Sequence, residues 1–236
     1  MFSLSDILHP LNVLGSAPAV LGNTTVVRFS VADPTISLAC TGDIIIRSTK
    51  AGQPVVATYS DLPLTNVSIQ ADANTDITII GDVTGLGLNY TDVNYYWSNN
   101  TALLEIGCAS CMDLTSLDVS GNTALQRLGC DTCTGLTMLD LSANTELLQL
   151  NCQDCSGLTT LDLSTNTVLT ELYCSTCTGL TTIKYPATNN DVSAEIASAI
   201  TNATAADGTV YTDSAADYYS TIATAANNKG WTIAQL

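Results

Sequence analysis

Eight of the nine cysteines form four Cys-x-x-Cys pairs, a spacing that in isolation is typical of a zinc site. The pairs recur every 22 residues: Cys108 and Cys111, Cys130 and Cys133, Cys152 and Cys155, and Cys174 and Cys177. A tetrahedral site needs four sulfurs that converge on one point, whereas a regular repeat stacks the sulfurs in two parallel columns. We therefore predict a structural cysteine ladder that fills the core, with no metal and no cofactor. Disulfides within the pairs and a metal that bridges neighbouring repeats are the alternatives.

Three carboxylates and one lysine keep the same interval: Asp118, Asp140, Asp162 and Lys184. Because residues one repeat apart lie side by side in a stacked array, we interpret these four as a possible binding-face column. Exposed carboxylates about 5 Å apart repel by only about 1 kcal/mol in water, so the column needs no ligand to form. A calcium site, which needs several oxygens around one ion, and a solvated acidic face are the other interpretations.

The residue types that catalysis needs are scarce. The sequence contains one histidine, His9, which excludes most Ser–His–Asp triads and His-rich metal centres. It has no Gly-x-Ser-x-Gly motif and no phosphate-binding Gly-Lys-Ser/Thr loop. The regularly spaced aspartates share one environment, whereas paired catalytic carboxylates need two different ones. We predict that the chain is not an enzyme.

Composition and charge limit the partners. The 236 residues include 22 acidic and 6 basic residues, a formal net charge of −16. Such a chain is repelled by nucleic-acid phosphates and by anionic membrane surfaces, so we expect neither as a partner. No stretch approaches the roughly 18 consecutive apolar residues of a membrane span. Hydrophobic residues make up 46% of the chain, which is enough for a folded core.

The cysteines and aspartates belong to one 22-residue unit. Its clearest copy, residues 144–164, reads Asn-Thr-x-Leu-x-x-Leu-x-Cys-x-x-Cys-x-x-Leu-Thr-x-Leu-Asp-Leu-Ser. Leucines at alternate positions point into a narrow core, which one repeat cannot bury without its neighbours. An asparagine stands where the chain turns, and we expect its side chain to bond backbone groups that would otherwise lack partners. This asparagine ladder consists of Asn100, Asn122, Asn144 and Asn166.

The unit resembles the leucine-rich repeat, whose L-x-x-L-x-L-x-x-N/C-x-L signature occurs twice in each copy. It is most similar to the bacterial LDLSxNxxLxxLxC repeats of Bacteroidetes-type surface and phage-encoded proteins. The resemblance covers residues 83–187, a little under half of the chain. It implies a parallel β-solenoid of about five turns.

The flanking segments differ from the repeats. Residues 21–82 contain six short β-type segments separated by Gly, Pro and Asp, which predicts a β-rich N-terminal domain. Residues 188–236 predict an α/β C-terminal cap with two helices. Residues 1–20 form an apolar arm, since a secretory signal would have a basic start and an uninterrupted apolar run. We expect the arm to anchor the protein through Phe2, Leu4, Ile7 and Leu8. The predicted fold class is mainly β: a leucine-rich-repeat-like parallel β-solenoid between an N-terminal β-domain and a C-terminal α/β cap.

These features predict a non-enzymatic structural and binding protein. The resemblance and the arm favour a bacteriophage virion component, attached to the capsid or tail, that presents a leucine-rich-repeat interaction surface. The expected partners are other virion or surface proteins, reached through the arm, and a host-surface ligand. We expect a homo-oligomer or a part of a larger assembly. A bacterial cell-surface or secreted adhesin and a protein-interaction module are the alternatives.

Overall fold

The computed structural model describes residues 23–29, 34–40, 43–59, 62–69, 71–74, 76–88, 93–185, 192–212 and 219–235. Within these ranges the chain is mainly β, as predicted, with two helices. The strands form three sheets that contain parallel and antiparallel pairs, and none of these sheets closes on itself. 

The N-terminal region consists of two sheets that are antiparallel apart from their contacts with the repeats. The six segments predicted as strands between residues 21 and 82 each overlap a strand, and two more strands follow. The fifth, predicted over residues 66–71, coincides only with the end of a strand that begins at Leu62. The strands are β1 (Thr24–Phe29), β2 (Thr35–Cys40), β3 (Ile44–Lys50), β4 (Gln53–Tyr59), β5 (Leu62–Ser68), β6 (Asp76–Ile80), β7 (Val83–Leu88) and β8 (Val93–Ser98). Sheet 1 has the order β8-β1-β6-β3-β4, and sheet 2 has the order β7-β2-β5. Buried side chains of both sheets, among them Val27, Ile46 and Ile79 of sheet 1 and Leu38 and Leu86 of sheet 2, belong to one core.

The repeats continue these two sheets with short parallel strands. They are β9 (Glu105–Gly107), β10 (Leu117–Asp118), β11 (Arg127–Gly129), β12 (Gln149–Asn151), β13 (Thr160–Asp162), β14 (Glu171–Tyr173) and β15 (Thr182–Lys184). The first column, β9-β11-β12-β14, extends sheet 2 from β7, and each pair within it joins residues 22 apart. The second column starts with β10 on β8 of sheet 1 and resumes with β13 and β15 in sheet 3. The core therefore runs without a break from the N-terminal sheets into the repeats.

The second column is interrupted in the middle of the array. Leu139–Leu141 occupies the position of a strand in its repeat, yet it pairs with neither β10 nor β13. Leu139 and Leu141 are nevertheless buried. So are the counterparts of Leu139 (Leu117 and Leu161) and those of Leu141 (Val119 and Leu163). The apolar column is thus continuous where the backbone ladder is not.

The C-terminal region contains α1 (Ser193–Asn202), β16 (Thr209–Thr212), α2 (Tyr219–Lys229) and β17 (Thr232–Gln235). Both helices were expected, and the apolar face of the first, Val192, Ile196 and Ile200, is buried as its spacing predicts. The two strands also join the repeats directly. β16 pairs in parallel with β15, and β17 pairs in parallel with β16, so sheet 3 ends with two strands from outside the repeat pattern.

Candidate functional site

Each Cys-x-x-Cys pair forms a tight turn directly after a strand of the first column. The residue before the second cysteine adopts the left-handed conformation, with φ between 59° and 63° at Ser110, Thr132, Asp154 and Thr176. This conformation brings the N–H of Cys133 back to the carbonyl of Cys130, at 3.3 Å. Non-glycine residues adopt it at a steric cost. The sequence contains no glycine or asparagine at these positions that would have signalled the turn.

The thiols of these turns link neighbouring repeats. All eight paired cysteines are fully buried. The second cysteine of a pair donates its S–H to the backbone carbonyl of the first cysteine one repeat earlier. The Sγ–O distances are 3.1 Å for Cys133 to Cys108, 3.0 Å for Cys155 to Cys130 and 2.9 Å for Cys177 to Cys152. All eight cysteines thus fill the core, and Cys133, Cys155 and Cys177 each hold their turn against the preceding one.

The surroundings shift the pKa of these thiols in both directions. The pKa of the first cysteine of each pair is raised, whereas hydrogen bonds with Cys108 and Cys111 lower the pKa of Cys133 to about 4, and a hydrogen bond with Cys152 lowers that of Cys177. All nine cysteines are free thiols. Burial raises the pKa of the Cys174 thiol well above its usual value, and contact with the Cys133 thiol together with burial does the same for Cys108. Such thiols stay protonated at neutral pH, and the protonated form is a poor nucleophile and metal ligand. In the described part of the chain, no three His, Cys, Asp or Glu side chains converge as a metal site requires.

The asparagine ladder forms a second internal column. Asn100, Asn122, Asn144 and Asn166 are at most 1% exposed. The Nδ2 group of each of the last three donates to the carbonyl of the asparagine one repeat earlier, at 2.9 Å in every case. Asn100 instead donates to Gly81 and Val83 and so connects the ladder to the N-terminal sheets. These bonds satisfy carbonyls where the chain turns, which is the role that the repeat pattern suggests.

The aspartate column has a structural role that the sequence interpretation missed. The Oδ1 atoms of Asp118, Asp140 and Asp162 accept the backbone N–H of the serine two residues later, at 3.1, 3.0 and 3.1 Å. Each repeat therefore closes this turn with its own side chain. The signal was present as the recurring Asp-x-Ser sequence.

Lys184 completes this column as the sequence predicts. Its Nζ lies 2.7 Å from Asp162 Oδ2, and both side chains are about two-fifths exposed (40% and 38%). Burial opposes ionisation of Asp162, but the hydrogen bonds from Lys184 and Ser164 lower its pKa. Hydrogen bonds from Ser142 lower the pKa of Asp140. Both carboxylates are therefore ionised at neutral pH.

A cavity of about 330 Å³ opens where the second column is interrupted. Its wall contains the carboxylates of Asp140 and Asp162 together with the hydroxyls of Thr137, Ser142, Thr159, Thr160, Ser164 and Thr165. Met138 also lines it and is 73% exposed, the highest exposure of any large hydrophobic residue in the described chain. Leu139 and Leu141 also line the cavity, and Asp162 is already paired with Lys184. The surface is therefore suited to a group that combines an apolar part with a polar or cationic part. The cavity is the candidate binding site of the repeats.

The first column presents a second, more varied surface. The residues that begin its strands are Glu105, Arg127, Gln149 and Glu171. Arg127 and Glu105 form an exposed ion pair at 2.8 Å, which raises the pKa of the guanidinium. The charge at this position changes from one repeat to the next, whereas the core positions keep the same residue types. The repeats therefore differ from one another mainly on their outer face. Phe2, Leu4, Ile7 and Leu8, the predicted anchoring residues, lie outside the described residues.

No helix in the described ranges is long and apolar enough to cross a membrane. Comparison with known proteins adds no assignment, since neither a family model nor a curated protein matches the sequence.

Proposed function

We propose that the protein is a non-enzymatic structural and binding protein whose repeats form a leucine-rich-repeat-like parallel β-solenoid of about five turns. We further propose that it is a component of a bacteriophage particle. The first proposal rests on one observation: the side chains that could do chemistry form hydrogen bonds that hold the fold together. Cysteines bond carbonyls in the core, asparagines bond the turns, and aspartates close Asp-x-Ser turns. What remains outside is an ordered surface for a macromolecular partner.

The free thiols support assembly in a reducing compartment. A protein exported to an oxidising environment tends to have its cysteines paired, whereas all nine are free in this chain. A virion component is made and assembled in the cytoplasm of the host, where thiols stay reduced. The resemblance to phage-encoded repeats and the apolar arm of residues 1–20, an attachment point for a capsid or tail, point the same way.

The solenoid proposal has a direct test in the register of the repeats. Deletion of residues 144–165 removes one whole unit and joins Ala143 to Asn166, so every column of the remaining repeats stays aligned. We expect this variant to melt cooperatively. The matched control deletes residues 150–167, four residues fewer, and joins Gln149 of β12 to Val168. Thr170 then stands where Cys152 was, and the following core residues are out of register within the strand, so this variant should fail to fold. Equal loss of structure in both variants would contradict stacked, interchangeable repeats.

The virion proposal is tested by locating the chain. Mass spectrometry of purified particles and of the host outer-membrane fraction should find its peptides in the particles at a constant ratio to the major capsid protein. Peptides found only in the membrane fraction would instead support the cell-surface adhesin. Peptides found only in the soluble host fraction would support an intracellular interaction module.

A further inference from the structure

The outermost strand of sheet 1 is open to a partner. β4 pairs with β3 on one side and with no described strand on the other. Its residues are exposed or half-buried along the whole strand, and Val56 is 55% exposed. All seven of its residues pair with β3 without a bulge, across a two-residue turn in which Ala51 and Gly52 have φ of 51° and 71°. The edge is therefore long, regular and accessible.

The turn determines which backbone groups face outward. In a two-residue hairpin the closing pair, here Lys50 and Gln53, is hydrogen-bonded, and the bonded pairs then alternate along the ladder. The backbone N–H and C=O groups of Gln53, and of every second residue after it, point to β3. The N–H and C=O groups of Val56 and Thr58 point away from the sheet. An added strand can pair with these groups.

The charge of this edge differs from that of the rest of the chain. Residues 44–59 contain Arg47 and Lys50 and no acidic residue, whereas the whole chain has a net charge of −16. Proteins usually protect long edge strands with charges, bulges or coverings, and β4 itself carries no charged side chain. A second copy of this acidic chain is repelled by most of the surface but not by this hairpin.

Arg47 adds an unsatisfied donor beside the edge. It pairs with Val56 and points to the outside of sheet 1, since Ile46 and Ser48 on either side are buried. Its Nε is buried and has no hydrogen-bond partner in the described residues. A buried donor without an acceptor destabilises the fold, and a carboxylate from a partner would supply the missing acceptor.

We infer that the N-terminal segment of a second copy of this chain adds a strand to the β4 edge and places the carboxylate of its Asp6 on Arg47. The segment before Asn23 has 22 residues, and Asp6 is its one acidic residue; it contains no Lys or Arg. With Asp6 opposite Val56, residues 3–9 lie along the seven residues of β4, and this stretch contains neither proline nor glycine. The 17 residues from Asp6 to Asn23 reach at most about 60 Å when extended, far enough to cross to a neighbouring copy. This contact rests on the proposed role in an assembly and names the partner of the arm.

Charge exchange tests the pairing in the full-length chain. We expect light scattering after size exclusion to show concentration-dependent association of the unmodified chain. R47D and D6R should each weaken that association about 10-fold or more, because each places like charges together. A mixture of the two variants should restore it, since the segment of each variant then finds an opposite charge on the edge of the other. K229D, with the same change of net charge on α2, should leave association unchanged.

A proline variant tests the backbone contact. V56P removes an outward N–H and leaves the bonds to β3 intact, so the chain should melt as before but fail to associate. V55P, the matched control, removes a bond to β3 and should lower the melting temperature. Association that V56P leaves unchanged, or an unmodified chain that stays monomeric, would overturn the inference.

The mixing experiment also distinguishes a neighbour from the same chain. The double variant D6R/R47D has both charges exchanged within one chain, whereas the mixture of single variants offers opposite charges only between chains. If the double variant associates and the mixture does not, the segment pairs with its own β4 and the assignment to a second copy is wrong. If particles contain peptides of the chain but the free protein is strictly monomeric, the inferred contact is wrong and the virion proposal stands. If the free protein associates but particles contain no peptides of the chain, the virion proposal is wrong and the inferred contact stands.

Discussion

Gly157 is the residue at which the stacking of repeats is tested most directly. It follows the pair Cys152/Cys155 by two residues, and Gly135 and Gly179 hold the same position in the neighbouring repeats. A Cβ on Gly157 would lie 2.5 Å from the carbonyl oxygen of Thr134 and 3.0 Å from that of Leu136. Both oxygens belong to the backbone of the preceding turn. Gly157→Ala therefore forces two turns apart.

The expected loss follows from this contact. Because the opposing atoms are backbone, they cannot move away as a flexible side chain would, and overpacking of this kind costs about 1–3 kcal/mol. Gly129 of β11 is the matched control, since the nearest atom to its Cβ would be 3.9 Å away. Gly129→Ala should be neutral or gain about 0.5–1 kcal/mol from the lower entropy of the unfolded chain. Neither glycine has a left-handed φ, so the two variants differ in space alone.

Thermal and urea unfolding followed by circular dichroism measures both variants. For a chain of this length about 1 kcal/mol corresponds to about 2–4 °C in melting temperature. We expect Gly157→Ala to melt about 2–12 °C below the unmodified protein and Gly129→Ala to melt at or slightly above it. If Gly157→Ala is as stable as Gly129→Ala, the repeats are not packed as closely as this glycine column requires.

Three further predictions concern the ladders. Cys152→Ala leaves a small cavity and should lower the free energy of unfolding in urea by about 1–2 kcal/mol. Elemental analysis should find the same zinc content in the variant and in the unmodified protein. Stoichiometric zinc that is lost in the variant would contradict a structural role of this thiol. Thr132→Gly should raise stability by up to about 1 kcal/mol because it relieves a left-handed φ of 61°, whereas Thr134→Gly should lower it; the reverse order in melting temperature would refute the strained turn. The lowered pKa of Asp140 and Asp162 contributes stability that is present above their unfolded pKa of about 4 and is lost as pH falls through the folded values. In urea unfolding between about pH 5 and 2, the free energy of unfolding should therefore decline less in Asp140→Asn than in the unmodified protein.

Part of the candidate site is decided by local and periodic information. The interval of 22 residues means that Asn122, Asn144 and Asn166 occupy equivalent places, and parallel stacking then brings each amide to the carbonyl of the previous copy. The same reasoning brings Lys184 beside Asp162 at the end of the aspartate column. Such contacts follow from sequence because both partners repeat with one period.

Other features have no counterpart in the period. β16 and β17 continue the second column although Ile183, Val210 and Ile233 are separated by 27 and 23 residues, with a helix in each interval. No constant spacing marks this alignment, and only the packing of the helices against the array produces it. In the same way, β7 and β8 each pair with a repeat strand on one side and an antiparallel strand on the other, which depends on how the N-terminal sheets meet the first repeat.

The sequence by itself determined the columns: which thiols, amides and carboxylates align, and that leucines between them form one core. Only the tertiary structure decided how closely the turns approach at Gly157 and where the backbone ladder opens at Leu139–Leu141 to form the cavity. It also decided that β4 has no second neighbour among the described strands. The physical reason is the range of the interactions. Alignment repeats with the sequence, whereas the spacing between turns and the edges of sheets depend on contacts between residues that no local pattern connects.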